Sequence, residues 1–589
     1  MTAGRYSSSG ASRRSVIRLA GLTAVGASCT ALGIHQSVQL WAPRHRRLPI
    51  GMNLAGIADW EPGFPFLNLM WGARIWHTRD ISDNHGPGNL EMTGSAALDE
   101  DGYPLEIPFT PPGAARAKYV FTLLPNIVAA GTYVILYDGE GDLAVAGGSR
   151  IVQARPGRIV ITMKHAGGEQ HEEISIRRSR RGNHVRNMRV LLIQNERADL
   201  DKNPFRPEAL DFCGPWHCIR FMDWLETNNS GNRRWADRKR RSFYTQVGAG
   251  GDVLGMFGSA LPAWQRRWGS GVAIELCVQL ANATKTDAWF CVPHLADDEY
   301  IAEMARLVRS GLDPTLKVYV EFSNEIWNWQ FQQAQWMLRS ELAGNLVEAA
   351  GGPPPWKGRV RPRSFRDGIV AAGAGEGADH PERIGALFRR CFKIWEDVFT
   401  GSDRTRLVRV CAVQAGWSDS ANRTLSWVMR NGGCDALSPT GYFGPSDDVY
   451  RRWETAGATL RPETVIADMR LMIAAERKVV RTMAGYARKA GIRLVIYEGG
   501  QHIQPQGQAE KPYNQALAAA QKHPAMYDLY RENFDAYARA GSDLFCAFSS
   551  VGRQGTRWGS WGHAERYGQN PSEMPKYRAI LEANVARGQ

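Results

Sequence analysis

At 589 residues the chain is too long for one ordinary domain, and 43% hydrophobic with 22% charged residues is a composition able to bury a large core. That balance excludes a disordered or fibrous chain, and no apolar run is long enough to form a stable membrane span. The formal net charge of +13 is densest at Arg177–Arg186 and Arg233–Arg241; no nucleic-acid module accompanies these clusters, so they read as solvated surface and nucleic acid is not expected as a partner.

The N-terminus reads as an address. In SRRSVIRLAGLTAVGASCTALGI the pair Arg13-Arg14 precedes a short run rich in Gly and Ala, the pattern of a twin-arginine export signal. Residues 1–40 are therefore expected to be leader and linker, with the mature protein periplasmic or extracellular. Next come a strand, LPIGMNLAG (48–56), and a helix-like run, FPFLNLMWGAR (64–74), so residues 41–77 should form the first strand and helix of a larger unit.

From about 78 to 197 the pattern changes. RAKYVFTLL, GTYVILYDGEGDLAVAGG, GRIVITMK and EEISIRRS are short runs punctuated by Gly, Asp and Pro, which predicts an inserted antiparallel module, β-sandwich-like. From 198 to 589, seven strand-like runs alternate with helical ones: CIRFMDW, AWFCVPH, KVYVEFSNE, RLVRVCAVQ, CDALSPTGYFG, RLVIYEGGQH and DLFCAFSS. With the first strand this makes eight, and strands alternating with helices imply a parallel sheet, here a (β/α)8 TIM barrel. A doubly wound open sheet is the alternative, but no Gly-rich phosphate loop follows the first strand. The stretch 340–385, with GGPPPW and AAGAGEGADH, predicts a long irregular insertion.

Cys291, Cys411 and Cys546 lie in apolar runs and read as buried thiols, while Cys213 and Cys218 are close enough in sequence to pair after export. Asp297, Asp298 and Glu299 read as a helix start, where acids suit the dipole, rather than as metal ligands. No zinc or EF-hand spacing occurs, and no metal or cofactor is expected.

Two strands end in acids. Glu325 follows Asn324 at the end of the fourth strand and Glu498 ends the seventh. Barrel active sites lie at the C-terminal ends of the strands, and these two strands stand across the mouth from each other. Facing carboxyl groups about 5–5.5 Å apart are what a retaining glycosidase needs, one as acid/base and one as nucleophile. Glu321, four residues earlier, is expected to point elsewhere.

At these residues the chain resembles the clan A glycoside hydrolases, and within them a bacterial group often labelled cellulose-binding protein. The motifs that carry the resemblance are NLAGIADW, IRFMDW, VYVEFSNEIWN, YEGGQH and WGSWG, and they cover nearly the whole mature chain. The resemblance implies Glu325 as acid/base, Glu498 as nucleophile, Asn324 on the sugar 2-OH, Arg220 beside the nucleophile, Tyr442 donating to it, and His294 binding substrate. Trp327, Trp558 and Trp561 follow strand ends and could stack on sugar faces, and His502 closes the seventh-strand motif. The implied partner is a β-linked polysaccharide or oligosaccharide. A binding protein that has lost turnover, and a transglycosylase using the same site, are the alternatives.

Overall fold

The computed structural model describes residues 45–83, 98–111, 113–127, 129–164, 171–248, 270–352 and 379–586. The leader expected at 1–40 lies outside them. Among the described residues no helix is long and apolar enough to cross a membrane.

Strand β1 (Ile50–Asn53) opens the barrel, and eight strands follow before the second barrel strand: β2 (His77–Asp80), β3 (Lys118–Leu123), β4 (Gly131–Asp138), β5 (Gly141–Ala146), β6 (Arg150–Arg155), β7 (Arg158–Met163), β8 (Glu173–Ser179) and β9 (Arg186–Leu192). The barrel resumes with β10 (Cys218–Arg220), β11 (Asp287–Val292), β12 (Val318–Phe322), β13 (Leu407–Ala412) and β14 (Ala436–Ser438). After the short β15 (Gly441–Phe443) come β16 (Arg493–Ile496), the short β17 (Gly499–Gln501) and β18 (Leu544–Ala547).

The order β1-β10-β11-β12-β13-β14-β16-β18 closes on itself through parallel pairing of β18 with β1, a closed eight-stranded barrel with helices between strands. These strands could be read from sequence because barrel strands are covered on both faces: β1, β12, β13 and β18 are buried at every residue. The seam is doubled below β1. The Leu48 amide donates to Ala583 O, Val585 N donates to Leu48 O, and Asn584 Oδ1 accepts from the Ile50 amide, so the last helix (Pro575–Ala583) latches the first strand.

The helix expected over residues 64–74 is not there. Only a 3-10 turn, Leu69–Gly72, forms, with all four residues buried and Asn68 capping it through Met70 N. The run is apolar on every side, so it offers no solvent face for a helix. A side chain at Gly72 would meet Pro125 and Phe64 at 2.4 and 2.5 Å, which shows how tightly the turn is wedged. The crossover helix for this first unit comes after the insertion, at Pro207–Cys213.

The insertion is antiparallel, in two four-stranded sheets ordered β2-β3-β8-β5 and β6-β7-β4-β9. It is rooted on the segment leaving β1 at the barrel mouth: Arg74 makes a two-pronged ion pair with the buried Asp59, the Asn126 amide donates to Asp59 O, and Arg74 N donates to Leu123 O. Part of the stretch 340–385 is helical after all, at Glu341–Ala349 and from His380 into the long helix His380–Val398; residues 353–378 lie outside the described residues. The acids after β11 do start a helix, Asp298–Gly311, with Asp297 Oδ1 accepting from Tyr300 N. All eight described cysteines are free and buried, so Cys213 and Cys218 are not joined.

Candidate active site

The ends of β10, β12 and β16 bring one cation and three carboxyl groups together at the mouth. Arg220, the last residue of β10, is fully buried, and all five of its N–H groups are used. Nη1 donates to Asn53 Oδ1 (2.9 Å) and Glu498 Oε2 (3.2 Å); Nη2 donates to Asn324 Oδ1 (2.8 Å) and Glu321 Oε2 (2.9 Å); Nε donates to Glu321 Oε2 (3.1 Å). Tyr497 and Trp289 lie under the guanidinium, 5.0 and 5.6 Å from it. A buried charge needs this degree of pairing.

Glu325 reaches the site because the chain leaves strand geometry after Phe322. Ser323 (φ 63°) and Glu325 (φ 41°) both take left-handed backbone, uncommon for residues with a side chain and concentrated at functional sites. Its carboxylate accepts from Tyr497 Oη (3.1 Å) and Asn328 Nδ2 (2.7 Å). Asn324 is anchored on both sides of its amide, by Arg220 and by Asn228 Oδ1, which accepts from Nδ2 at 3.0 Å.

Glu498 is placed at the site by a break in the barrel. Strands six and seven stop at Ser438 and Ile496, then pair again as β15 and β17, and Glu498 occupies the gap with its carbonyl accepting from Gly441 N. The gap depends on glycine: a side chain at Gly441 would meet Phe545 at 2.5 Å, and one at Gly499 would meet the Gly441 backbone at 2.6 Å. Glu498 and Glu325 face each other, and each shifts the proton affinity of the other. Burial raises both above the ordinary glutamate range; for Glu498 the repulsion from Glu325 adds to it and Arg220 opposes it. Two carboxyls that act on each other in this way take up and release their protons as a coupled pair.

The structure thus joins Arg220, Asn324, Glu325 and Glu498. Around them stands an aromatic wall: the Tyr442 ring lies 5.3 Å from His502 and 6.0 Å from Trp561, with His502 and Trp561 5.0 Å apart. Burial, then the charges of Glu498 and Glu325, raises the Tyr442 phenol well above its ordinary value. The tyrosine that hydrogen-bonds an acid of the pair, however, is Tyr497, on Glu325. Trp558 is 53% exposed beside this wall, its carbonyl accepting from Trp561 Nε1 and Arg557 lying over its ring.

His294 is buried after β11 with its ring edge-on to Trp336 (5.4 Å) and Nδ1 unpartnered among the described residues; burial pushes it down to about 3, so it is neutral. Trp327 packs on the core, its indole nitrogen buried without a partner among the described residues. Neither is joined to the acids by a described contact.

Glu321 does not point elsewhere. It is fully buried under Arg220, and its Oε2 also accepts from Trp289 Nε1 (2.9 Å) and Cys291 Sγ (3.5 Å). Sequence reading also missed Asn53, Tyr497 and Asn328. For Glu321 a signal existed: a carboxylate inside VYVEF, a run apolar on both faces, has to meet a buried cation. Among the described residues no cluster of three or more His, Cys, Asp or Glu could hold a metal ion.

No protein-family model matches the chain, and no curated protein matches it either. Solved structures of similar fold include a GH51 arabinofuranosidase from Xanthomonas axonopodis pv. citri, 15% identical over 60% of this chain, of which the match spans 62% (TM-score 0.34). They also include a GH5-4 broad specificity endoglucanase from Clostridium acetobutylicum, 12% identical over 64% of this chain and 90% of that one (TM-score 0.32). A third is GH10 from Paenibacillus barcinonensis, 13% identical over 63% and 90% (TM-score 0.28). At these identities no residue role is transferred from them. What fold and site define together is a closed parallel barrel with two acids at its mouth, Glu498 buried and Glu325 half-buried.

Proposed function

We propose that the protein is an exported retaining glycoside hydrolase acting on a β-linked polysaccharide or oligosaccharide. The observation that carries this reading is the convergence of Glu325 and Glu498 at the mouth, the first held by Tyr497 and Asn328 and the second by Arg220. Inverting enzymes hold their acids about 6.5–9.5 Å apart to admit a water and retaining ones about 5–5.5 Å apart; two acids close enough to shift each other's proton affinity fit the shorter span.

In this reading Glu498, ion-paired with Arg220, attacks the anomeric carbon while Glu325 protonates the leaving oxygen. Glu325 then takes a proton from the water that releases the glycosyl-enzyme. Asn324, fixed by Arg220 and Asn228, is placed to bind the sugar hydroxyl beside the reacting carbon. Export rests on Arg13-Arg14 and the apolar run behind it.

The test is a panel of aryl glycosides and polysaccharides, with the first-formed anomer read by NMR. Retained configuration is expected; inversion, or no turnover of any substrate that binds, would overturn the reading. Products longer than the substrate would identify a transglycosylase at the same site.

Two expectations follow from the geometry. kcat/KM should be bell-shaped in pH: activity falls at low pH as the pair takes up a second proton and at high pH as it loses the shared one. Because both carboxyls are raised, the alkaline limb should lie well above the ordinary glutamate range. Trp558→Ala should raise KM for a polysaccharide about two- to tenfold, with kcat on a small aryl glycoside and the melting temperature unchanged, since the ring is exposed.

A further inference from the structure

Glu321 is tied more closely to Arg220 than either acid of the pair is. Its Oε2 takes two of the five guanidinium N–H groups, and Trp289 and Cys291 hold that oxygen from the neighbouring strand β11. The remaining three N–H groups go to Asn53, Asn324 and Glu498. A guanidinium is a rigid planar fork, so fixing one edge fixes the direction of the other. The orientation of Glu321 is thereby passed to the Asn324 amide and to the Glu498 carboxylate.

The second effect is one of charge. Arg220 and Glu321 cancel inside a water-poor site, leaving Glu325 and Glu498 to settle their protonation mainly between themselves. An unbalanced cation at 3.2 Å from Glu498 would draw the proton off the pair and leave no acid for the leaving group. We propose that Glu321 is a positioning residue that acts through Arg220: it fixes the guanidinium and cancels its charge, so that Asn324 and Glu498 are held without depriving the acid pair of its proton. The proposal rests on Glu325 and Glu498 being the reacting pair.

Other groups face these acids. Asp223, in the turn after β10, Tyr442 on β15 and Tyr497 beside Glu498 act on the pair, while Arg220, Trp289, Cys291 and Tyr497 face Glu321. Asp223 itself is pushed up to about 6, by burial first, so the titration must be read on glutamate alone.

The experiment is a 13C-carboxyl NMR titration of the full mature chain labelled only at glutamate, which needs no substrate. In Glu321→Gln the pair should lose its shared proton at a pH lower by about 1–3 units. Glu321→Asp keeps the charge and should keep the wild-type titration. An unmoved titration in folded Glu321→Gln would overturn the proposal. If that variant does not fold, Glu321→Asp decides: a titration of the pair moved by about one unit or more although the charge is kept would overturn the proposal. Where a substrate is in hand, the alkaline limb of kcat/KM should move by the same amount, which a merely structural role would not cause. A shifted titration in a protein that cleaves no glycoside would count against the proposed function and leave the role of Glu321 standing.

Discussion

Glu498→Ala and Glu325→Ala are both expected to abolish turnover of a natural glycan, and to part company on an activated aryl glycoside with azide. General acid/base help alone carries a factor of about 10²–10⁴, and without a nucleophile there is no covalent intermediate. An aryl leaving group needs little protonation, so Glu325→Ala should still form the glycosyl-enzyme. Azide then replaces the missing base-assisted water and gives a product of retained configuration. In Glu498→Ala azide enters from the face that the carboxylate has vacated and gives inverted product. The anomeric configuration by NMR reads both outcomes. Swapped rescue patterns would exchange the two roles, and full activity in either variant would remove that residue from the mechanism.

Arg220→Met should destabilise the protein by about 3–5 kcal/mol, because it strips the partner from a buried ion pair. Glu321 keeps only Trp289 and Cys291, Glu498 loses its cation, and Asn53 and Asn324 each lose a donor. Chemical denaturation should show a lower midpoint with an unchanged slope. Adding Glu321→Leu removes the stranded carboxylate and should restore much of that stability, since apolar residues of similar volume can replace a buried pair. It should restore no activity, because Glu498 still lacks its cation and Asn324 the donor that fixes its carbonyl oxygen. A double variant no more stable than Arg220→Met would mean that the loss lies in packing rather than in the buried charge.

The barrel strands were legible because a strand covered on both faces must be apolar throughout, and eight such runs stand out between helical stretches. The acids at 325 and 498 were legible for the opposite reason: each is a charge at the point where an apolar run stops. Glu321 was misplaced because four residues of strand, about 13 Å, were taken to separate it from the site. The chain leaves strand geometry at Ser323, and the buried Arg220 bridges Glu321 to Asn324 and Glu498. Tyr497 was overlooked in favour of Tyr442 because the break between β16 and β17 turns successive residues toward the same site, which no periodicity reveals. The first helix failed because FPFLNLMWGAR is apolar on every side and is held against β9, where the Val190 amide donates to Asn68 Oδ1, so it has no solvent face to read.

The seam between β1 and β18 also orders the life of the chain. As the protein is made, β1 emerges long before one of its two barrel neighbours, β18, and before the Asn584 latch. No nascent chain without β18 can close the cylinder, so one edge of the first strand stays unpaired until β18 is made. Contacts this distant in sequence make for slow closure. A chain that lacks the helix Pro575–Ala583 and the Asn584 behind it should behave less like a shortened enzyme than like an unfinished one.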